Sequence, residues 1–392
     1  MLIKFKVTNF RSFKNETTLN FQETRCSEHP HHLIDCGKEK FLKTAVIYGA
    51  NVSGKSNLYS AFEYMKYYVM HSHVYEDDIH MKSETFLFDE KLNKEPSTFE
   101  VYFTLNKSND NIEYKYGFSI NKGNITDEWL CKKAINARNY IIIFERSIDK
   151  FNLSGIPKEH RMNIKVATGK NNLIISIGSK LKIPICNTIS KWFKDINCIN
   201  FETKDMCVDP NDIKDTTNIV KYLNSFEPTV SDITYDESKN TYNIIYKIDD
   251  SGNTYEIPLT EESAGMKKMF NLYSRFKFAL NNGSVLFIDS LDSNLHPLLL
   301  RDIAITFFND EMNPNNAQLI FTTHDVFSLD KSIFRRDEIW FVNKKNNVSE
   351  LYSLVDFKGE DNKKIRKDED YCKNYLLGKY GAIPNLENIR LI

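Results

Sequence analysis

The feature that most constrains the fold is the segment 49–56, which reads Gly-Ala-Asn-Val-Ser-Gly-Lys-Ser. It fits the pattern G-x-x-x-x-G-K-[ST], whose glycines let backbone N–H groups turn inward around phosphate groups. Residues 44–48 before it are short, apolar and β-branched, and residues 56–71 after it carry apolar side chains at helical spacing. Strand, glycine-rich turn and helix form the context that a phosphate-binding loop requires.

This loop predicts how a nucleoside triphosphate is held. Lys55 is expected to reach the β- and γ-phosphates, and the Ser56 hydroxyl is expected to bind Mg²⁺. The predicted cofactors are therefore ATP and Mg²⁺. The remaining predicted nucleotide contacts are Gly49, Asn51, Ser53, Gly54, Asn57 and Arg11.

A second element is the apolar run 285–288, Val-Leu-Phe-Ile, which ends in Asp289. In P-loop enzymes an acid at the end of such a strand holds the magnesium ion. Many buried strands end in Asp, so the motif indicates a metal ligand only in combination with the phosphate loop. Ser56 and Asp289 are the predicted metal ligands.

Three further segments follow one another in a fixed order. Ser263-Ala-Gly265 precedes a helical pattern, residues 293–297 follow Asp289 closely, and the strand 319–323 ends before His324. Taken singly, Ser-x-Gly could be a helix N-cap and His324 a core histidine. Their joint order resembles the signature, Walker B, D-loop and switch histidine of ABC ATPases, and residues 9–13 (NFRSF) look like the first strand of SMC-like and RecF-like members.

The resemblance implies a site completed by a second subunit. Ser263 and Gly265 of one copy would reach the γ-phosphate held by the loop of another copy. The predicted partner is thus a second copy of this chain, in an ATP-dependent homodimer or higher oligomer.

The catalytic group departs from the ABC pattern. The residue after the Walker B aspartate is usually a glutamate that orients water, but here it is Ser290. Because a hydroxyl cannot act as a general base at neutral pH, hydrolysis should be slow or use another group. Asp292 and His324 are the nearest alternatives, so the predicted catalytic set is Asp289, Ser290, Asp292 and His324. The Q-loop glutamine is also missing, since the chain contains only Gln22 and Gln318.

The element pattern predicts an α/β fold, an ABC-type P-loop ATPase with a mixed sheet core, an antiparallel β subdomain and a helical insertion. The expected parts are an N-terminal lobe at 1–156, a helical insertion at 157–235 and a C-terminal lobe at 236–392. The strands of the β subdomain are expected at 98–105, 112–120 and 140–145, and a hairpin near 241–258.

Composition and charge indicate the cellular compartment and the classes of partner to expect. With no apolar run of about 18 residues, no membrane span is expected. The seven scattered cysteines favour reduced thiols in a cytoplasm, and the net charge of −1 gives no general sign of nucleic-acid binding. A zinc site is conceivable where several ligand-type residues cluster, but a plain polar loop is the favoured interpretation of this segment. The clustered residues are Cys26, His29, His31, His32 and Cys36.

The C-terminal third carries a more specific resemblance. The segments 335–341, 350–354 and 375–384, the last reading YLLGKYGAIP, resemble the bacterial RloA/AbiL-type, OLD-like AAA/ABC ATPases of anti-phage abortive-infection systems. The resemblance implies a subunit that senses infection and controls a separate effector, such as a nuclease encoded nearby, with DNA or a phage component as further candidate partners. Two alternatives stay open: a RecF-like or SMC-like DNA-repair ATPase, and an ATP-gated scaffold with little hydrolysis.

Overall fold

The structure is a computed structural model that describes residues 1–75, 84–105, 112–148, 150–201, 216–248, 252–359 and 364–384. The helices are α1 Lys55–His71, α2 Lys158–Ala167, α3 Ile174–Lys180, α4 Pro184–Asp195, α5 Thr216–Asn224, α6 Ala264–Asn282, α7 Pro297–Phe308 and α8 Tyr371–Leu376. The strands are β1 Leu2–Thr8, β2 Thr17–Asn20, β3 Leu33–Cys36, β4 Glu39–Leu42, β5 Thr44–Tyr48, β6 Ser97–Thr104, β7 Ile112–Asn121, β8 Asn124–Ala134, β9 Ile141–Ser147, β10 Lys150–Asn152, β11 Asn197–Asn200, β12 Val230–Asp236, β13 Thr241–Lys247, β14 Thr254–Pro258, β15 Val285–Asp289, β16 Gln318–Thr322, β17 Ile339–Lys345 and β18 Val348–Ser353.

The central sheet has the strand order β11-β15-β16-β5-β17-β18 within the described residues. The first five strands run parallel, and β18 pairs antiparallel with β17. Every residue of β5, β15 and β16 is buried, which explains their continuous apolar sequences, because a parallel sheet is covered on both faces. The predicted α/β fold with a mixed sheet core is confirmed.

The two faces of this sheet carry different helices. Alternate strand residues such as Ile47, Phe287 and Ile320 share a core with α1. The intervening residues, including Leu286 and Phe321, share a second core with α6 and α7. Because side chains alternate across a strand, α1 and α6 lie on opposite faces of the sheet.

A second, antiparallel sheet has the order β10-β9-β8-β7-β6-β1-β2 and contacts the other side of α1, where Phe62 meets Phe5 edge-on at 5.0 Å. This sheet is the predicted antiparallel β subdomain. Its strand β8 was not predicted, because residues 124–134 mix acidic, basic and apolar side chains without strict alternation. Helices α2 to α5 fall in the region expected to be helical, but the short β11 also lies there and joins the central sheet.

The segment expected to be a plain loop contains the β3–β4 hairpin and a 3-10 turn at Pro30–His32, so that interpretation was wrong. The predicted hairpin is β13–β14, although residues 249–251 of its turn lie outside the described residues. Among the described helices, none is long and apolar enough to span a membrane.

Candidate functional site

The phosphate loop leaves the end of β5 and enters α1 with tightly constrained glycines. Gly54 has φ +113°, and a Cβ there would lie 2.4 Å from Ser349 Oγ. A Cβ on Gly49 would lie 2.5 Å from the carbonyl oxygen of Val342. Side chains are therefore excluded at both positions, as the motif predicts.

Lys55 lies inside this loop and beside the predicted switch histidine. Its Nζ donates hydrogen bonds to the carbonyl oxygens of Gly49 at 2.8 Å and Ala50 at 3.2 Å. The same atom lies 3.5 Å from His324 Nδ1. The structure thus brings together two residues separated by most of the chain, at the carboxyl ends of β5 and β16. Ser56 and Asn51 are exposed at the same end of α1.

A relay of hydroxyl groups supports the loop from behind. Asn57 Nδ2 donates to Ser12 Oγ at 2.7 Å, and Ser12 Oγ lies 2.8 Å from Ser349 Oγ. Ser349 Oγ in turn donates to the carbonyl oxygen of Ser53 at 2.5 Å. The three serines are buried, so these hydrogen bonds face no competition from bulk water. Ser349 was not identified from the sequence, because an isolated serine in a polar strand carries no motif.

Arg11, a predicted nucleotide contact, has a different partner in this structure. Its guanidinium makes two hydrogen bonds to the Glu84 carboxylate, at 2.7 and 3.1 Å, and lies over the Phe10 ring. Its role at the nucleotide stays a prediction.

Asp289 is completely buried at the end of β15 and is held by neighbouring strands. Thr322 donates to Asp289 Oδ1 at 2.6 Å and accepts the backbone N–H of Ser290 at 2.7 Å. On the other side, Asn200 of β11 pairs in register with Asp289, and its amide nitrogen lies 3.5 Å from Oδ2. Sequence reasoning missed Asn200, which places an amide beside the predicted metal ligand.

The loop after Asp289 replaces the usual glutamate with a strained serine and a nearby aspartate. Ser290 has φ +57°, a left-handed conformation that is unfavourable for a residue with a Cβ. Asp292 Oδ2 accepts the backbone N–H of His324 at 3.0 Å. Its Oδ1 is buried and accepts no hydrogen bond from the described residues. Asp292 therefore presents a carboxylate oxygen beside His324, while Ser290 offers only a hydroxyl.

Lys268 is a further residue that the sequence did not single out. From the second turn of α6, its Nζ donates to the carbonyl oxygens of Ser290 at 3.2 Å, Leu291 at 2.8 Å and Ser293 at 2.5 Å. It also lies 4.0 Å from the centre of the Phe201 ring. Burial lowers the pKa of this lysine to about 8. The side chain ties the helix of the predicted signature to the loop that follows Asp289.

The predicted signature residues lie at the start of α6. Ser263 caps the helix by accepting the backbone N–H of Met266 at 3.2 Å. A Cβ on Gly265 would lie 3.4 Å from the carbonyl oxygen of Asn294. Both residues are thus on the α6 face of the central sheet, next to the loop after β15, whereas the phosphate loop leads into α1 on the other face.

The C-terminal segment YLLGKYGAIP contacts the phosphate loop directly. The carbonyl oxygen of Ala382 accepts the backbone N–H of Ala50 at 2.9 Å and also the Tyr375 hydroxyl at 2.9 Å. Gly381 and Ala382 both have positive φ, at 68° and 56°, which turns the chain towards the loop. This contact was not predicted from the sequence.

The site suits a nucleoside triphosphate with Mg²⁺. The backbone N–H groups at the start of α1 and the lysine inside the loop suit the phosphate groups. The buried carboxylate of Asp289 suits Mg²⁺, which prefers oxygen ligands.

A family model described as "AAA domain, putative AbiEii toxin, Type IV TA system" matches residues 45–150 and 208–330. No curated protein matches the chain significantly. Among solved structures, the SMC head domain from Thermotoga maritima is 15% identical, with TM-score 0.40, covering 90% of this chain and 98% of that one. An Smc head domain from Pyrococcus furiosus, bound to the C-terminal domain of ScpA, is 11% identical with TM-score 0.42, covering 90% and 96%. The recombination mediator RecF bound to ATP is 13% identical with TM-score 0.36, covering 90% and 97%.

The structural likenesses are too distant to bear on function. The family match spans more than half of the chain and includes the phosphate loop, the predicted signature and Asp289. The protein therefore belongs to this AAA family and is an ATPase of the AAA/ABC type.

Proposed function

We propose that the protein binds MgATP at residues 49–57 and that ATP joins two copies, each completing the site of the other. The observation that carries this proposal is the placement of α1 and α6 on opposite faces of the central sheet. Layers pack about 10 Å apart, so two helices on opposite faces have axes separated by ~20 Å. Ser263 is thereby kept away from the phosphate loop of its own chain, but a facing copy can supply it.

Turnover in such a dimer is proposed to be slow. Ser290 lacks a titratable group for water activation, and the Asp292 carboxylate accepts the backbone N–H of His324. Asp292 Oδ1 accepts no hydrogen bond from the described residues. The dimer would consequently persist with ATP bound, which suits a switch better than a motor.

For the biological role, we propose an anti-phage system in which this ATPase controls a separate effector, such as a nuclease. Two observations support it: the family description names AbiEii toxins, and the C-terminal segments resemble RloA/AbiL-type proteins. The RecF-like or SMC-like alternative makes a different prediction, namely salt-dependent DNA binding by the isolated protein.

The sharpest test of the shared site mixes two inactive variants. Lys55→Ala removes the loop lysine but keeps the signature, whereas Ser263→Asp keeps the helix cap but places a negative charge against the γ-phosphate. Each variant alone should lose ATPase activity. In an equimolar mixture half of the dimers contain both chains, and each has one intact site, so about one quarter of wild-type activity should return.

Activity that stays absent in the mixture would refute completion in trans. Light scattering should show a mass increase with ATP for wild type but not for Lys55→Ala. For the biological role, phage plating should recover in cells whose intact locus carries Lys55→Ala, and plating equal to that with the wild-type locus would refute the defence assignment.

A further inference from the structure

Three histidines near the N-terminus converge on one point of the surface. His29, His31 and His32 each offer a ring nitrogen, and these three atoms lie within 4.8 Å of one another. His32 is buried, His29 is half-buried and His31 is exposed, so the cluster opens to solvent on one side. The three rings line a cavity of about 250 Å³ together with residues of α7 and the turn before β17.

The hydrogen bonds of His29 and His32 use one nitrogen of each ring and leave the other nitrogen for a cation. His32 Nδ1 lies 2.9 Å from Glu338 Oε2, and the tautomer that donates from Nδ1 to this oxygen leaves Nε2 as a ligand. His29 Nε2 lies 2.8 Å from the carbonyl oxygen of Lys331, which requires the proton on Nε2 and frees Nδ1. A carboxylate or carbonyl behind a histidine is the usual support of a metal ligand.

The backbone and the packing hold these rings in place. His29 has φ 44° and ψ 62°, a left-handed conformation immediately before Pro30. Such strain persists only where the surroundings enforce it. The His32 ring stacks on Phe308 at the end of α7, with centroids 3.5 Å apart.

We propose that His29, His31 and His32 form a site for one divalent transition-metal ion of the Zn²⁺ class. Imidazole nitrogens suit Zn²⁺, Co²⁺ and Ni²⁺, and not Mg²⁺. Tetrahedral zinc with 2.0–2.1 Å bonds needs ligand nitrogens about 3.3 Å apart. The ligand atoms lie within 4.8 Å of one another, so closing to this geometry requires shifts of at most about 1.5 Å, and His29 and His31 are the less buried rings. The fourth position faces solvent.

The cysteines of the same segment are not part of this site. Cys26 Sγ lies 3.2 Å from Thr24 Oγ1, and burial raises its pKa to about 11. Cys36 is on β3, opposite Glu39 of the hairpin. The site therefore differs from the mixed Cys/His cluster considered from the sequence.

Metal binding would join the N-terminal hairpin to the C-terminal lobe. His29 contacts Lys331, and His32 contacts Glu338 and Phe308, all of which lie about 300 residues further along the chain. This proposal does not depend on the nucleotide site.

The test uses full-length protein without a histidine tag, freed of metal by a chelator. Titration with Co²⁺ should give the visible absorption of a low-coordinate site at one equivalent per chain, and Zn²⁺ should displace it. Zn²⁺ in excess over Kd should raise Tm by several degrees, because the ion binds only the folded chain. The double variant His29→Asn/His31→Ala should lose both effects, since Asn tolerates the left-handed conformation.

Matched controls are His71→Ala, an exposed histidine outside the cluster, and Cys36→Ser, and both should bind metal like wild type. Equal Co²⁺ binding by the double variant and wild type would overturn the proposal. So would a wild-type dissociation constant weaker than about 10 μM, or loss of binding in Cys36→Ser.

Discussion

The buried relay behind the phosphate loop predicts that Ser349→Ala weakens ATP binding although Ser349 is not itself a predicted nucleotide contact. The substitution removes the donor to the Ser53 carbonyl and the acceptor beside Ser12. An uncharged hydrogen bond contributes about 1 kcal/mol, and a buried carbonyl left without a donor costs about 1–3 kcal/mol. The loop would relax to expose that carbonyl to water and so lose its binding conformation.

If about 1.4 kcal/mol of this cost falls on the binding-competent loop, the Kd for ATP rises about tenfold. The assay is a titration with a fluorescent ATP analogue, together with urea unfolding without nucleotide. Ser353→Ala is the matched control, because Ser353 is also a buried serine of β18 but donates to Asp356, away from the loop.

The control should lower the free energy of unfolding by a similar amount while leaving the Kd unchanged within twofold. Ser349→Ala with wild-type affinity would refute the relay as a support of the loop. An equal loss of ATP affinity in Ser353→Ala would show that general destabilisation, and not loss of the relay, weakens ATP binding.

Three further predictions concern the loop after Asp289. Lys268→Met should lower ATPase activity more than ATP affinity, because three carbonyls lose their donor. The Lys268 pKa of about 8 lies below its usual 10.5, so the unfolded chain binds this proton more tightly and the lysine's contribution to stability rises with pH. Between pH 7.5 and 9.5 the free energy of unfolding of wild type should gain about 2 kcal/mol relative to Lys268→Met; a constant difference would contradict this. Ser290→Glu should raise phosphate release and Ser290→Gln should not, whereas no gain would place the water-orienting group at Asp292.

The phosphate loop was readable from sequence because its geometry is local. Gly49, Gly54 and Lys55 act within eight residues, and β5 and α1 flank them directly. The strand β15 was equally clear, since a strand covered on both faces needs an unbroken apolar run. Their place in an α/β sheet followed from the alternation of elements.

What the sequence could not reveal depends on distant contacts. Strand β8 was missed because it carries Glu128, which is fully buried in the structure. That carboxylate accepts the backbone N–H groups of Ile174 and Ile175 at the start of α3, so it replaces a helix cap. Burial raises its pKa to about 7. From the sequence alone, an acidic residue within a strand is expected to face solvent, because the helix that it caps is not evident there.

The C-terminal segment YLLGKYGAIP also depends on a distant contact, in this case with the phosphate loop. Ala50 N–H belongs to the phosphate loop, but it donates to Ala382 and is therefore occupied by the protein itself. Ala382 is fixed by the Tyr375 hydroxyl, and the Tyr375 ring stacks on Phe341 of β17 with centroids 5.4 Å apart. A shift of residues 375–382 would release this N–H and change the loop that α1 presents to phosphate. Residues 375–382 thus contact the phosphate loop directly, and we expect a displacement of this segment to change ATP binding.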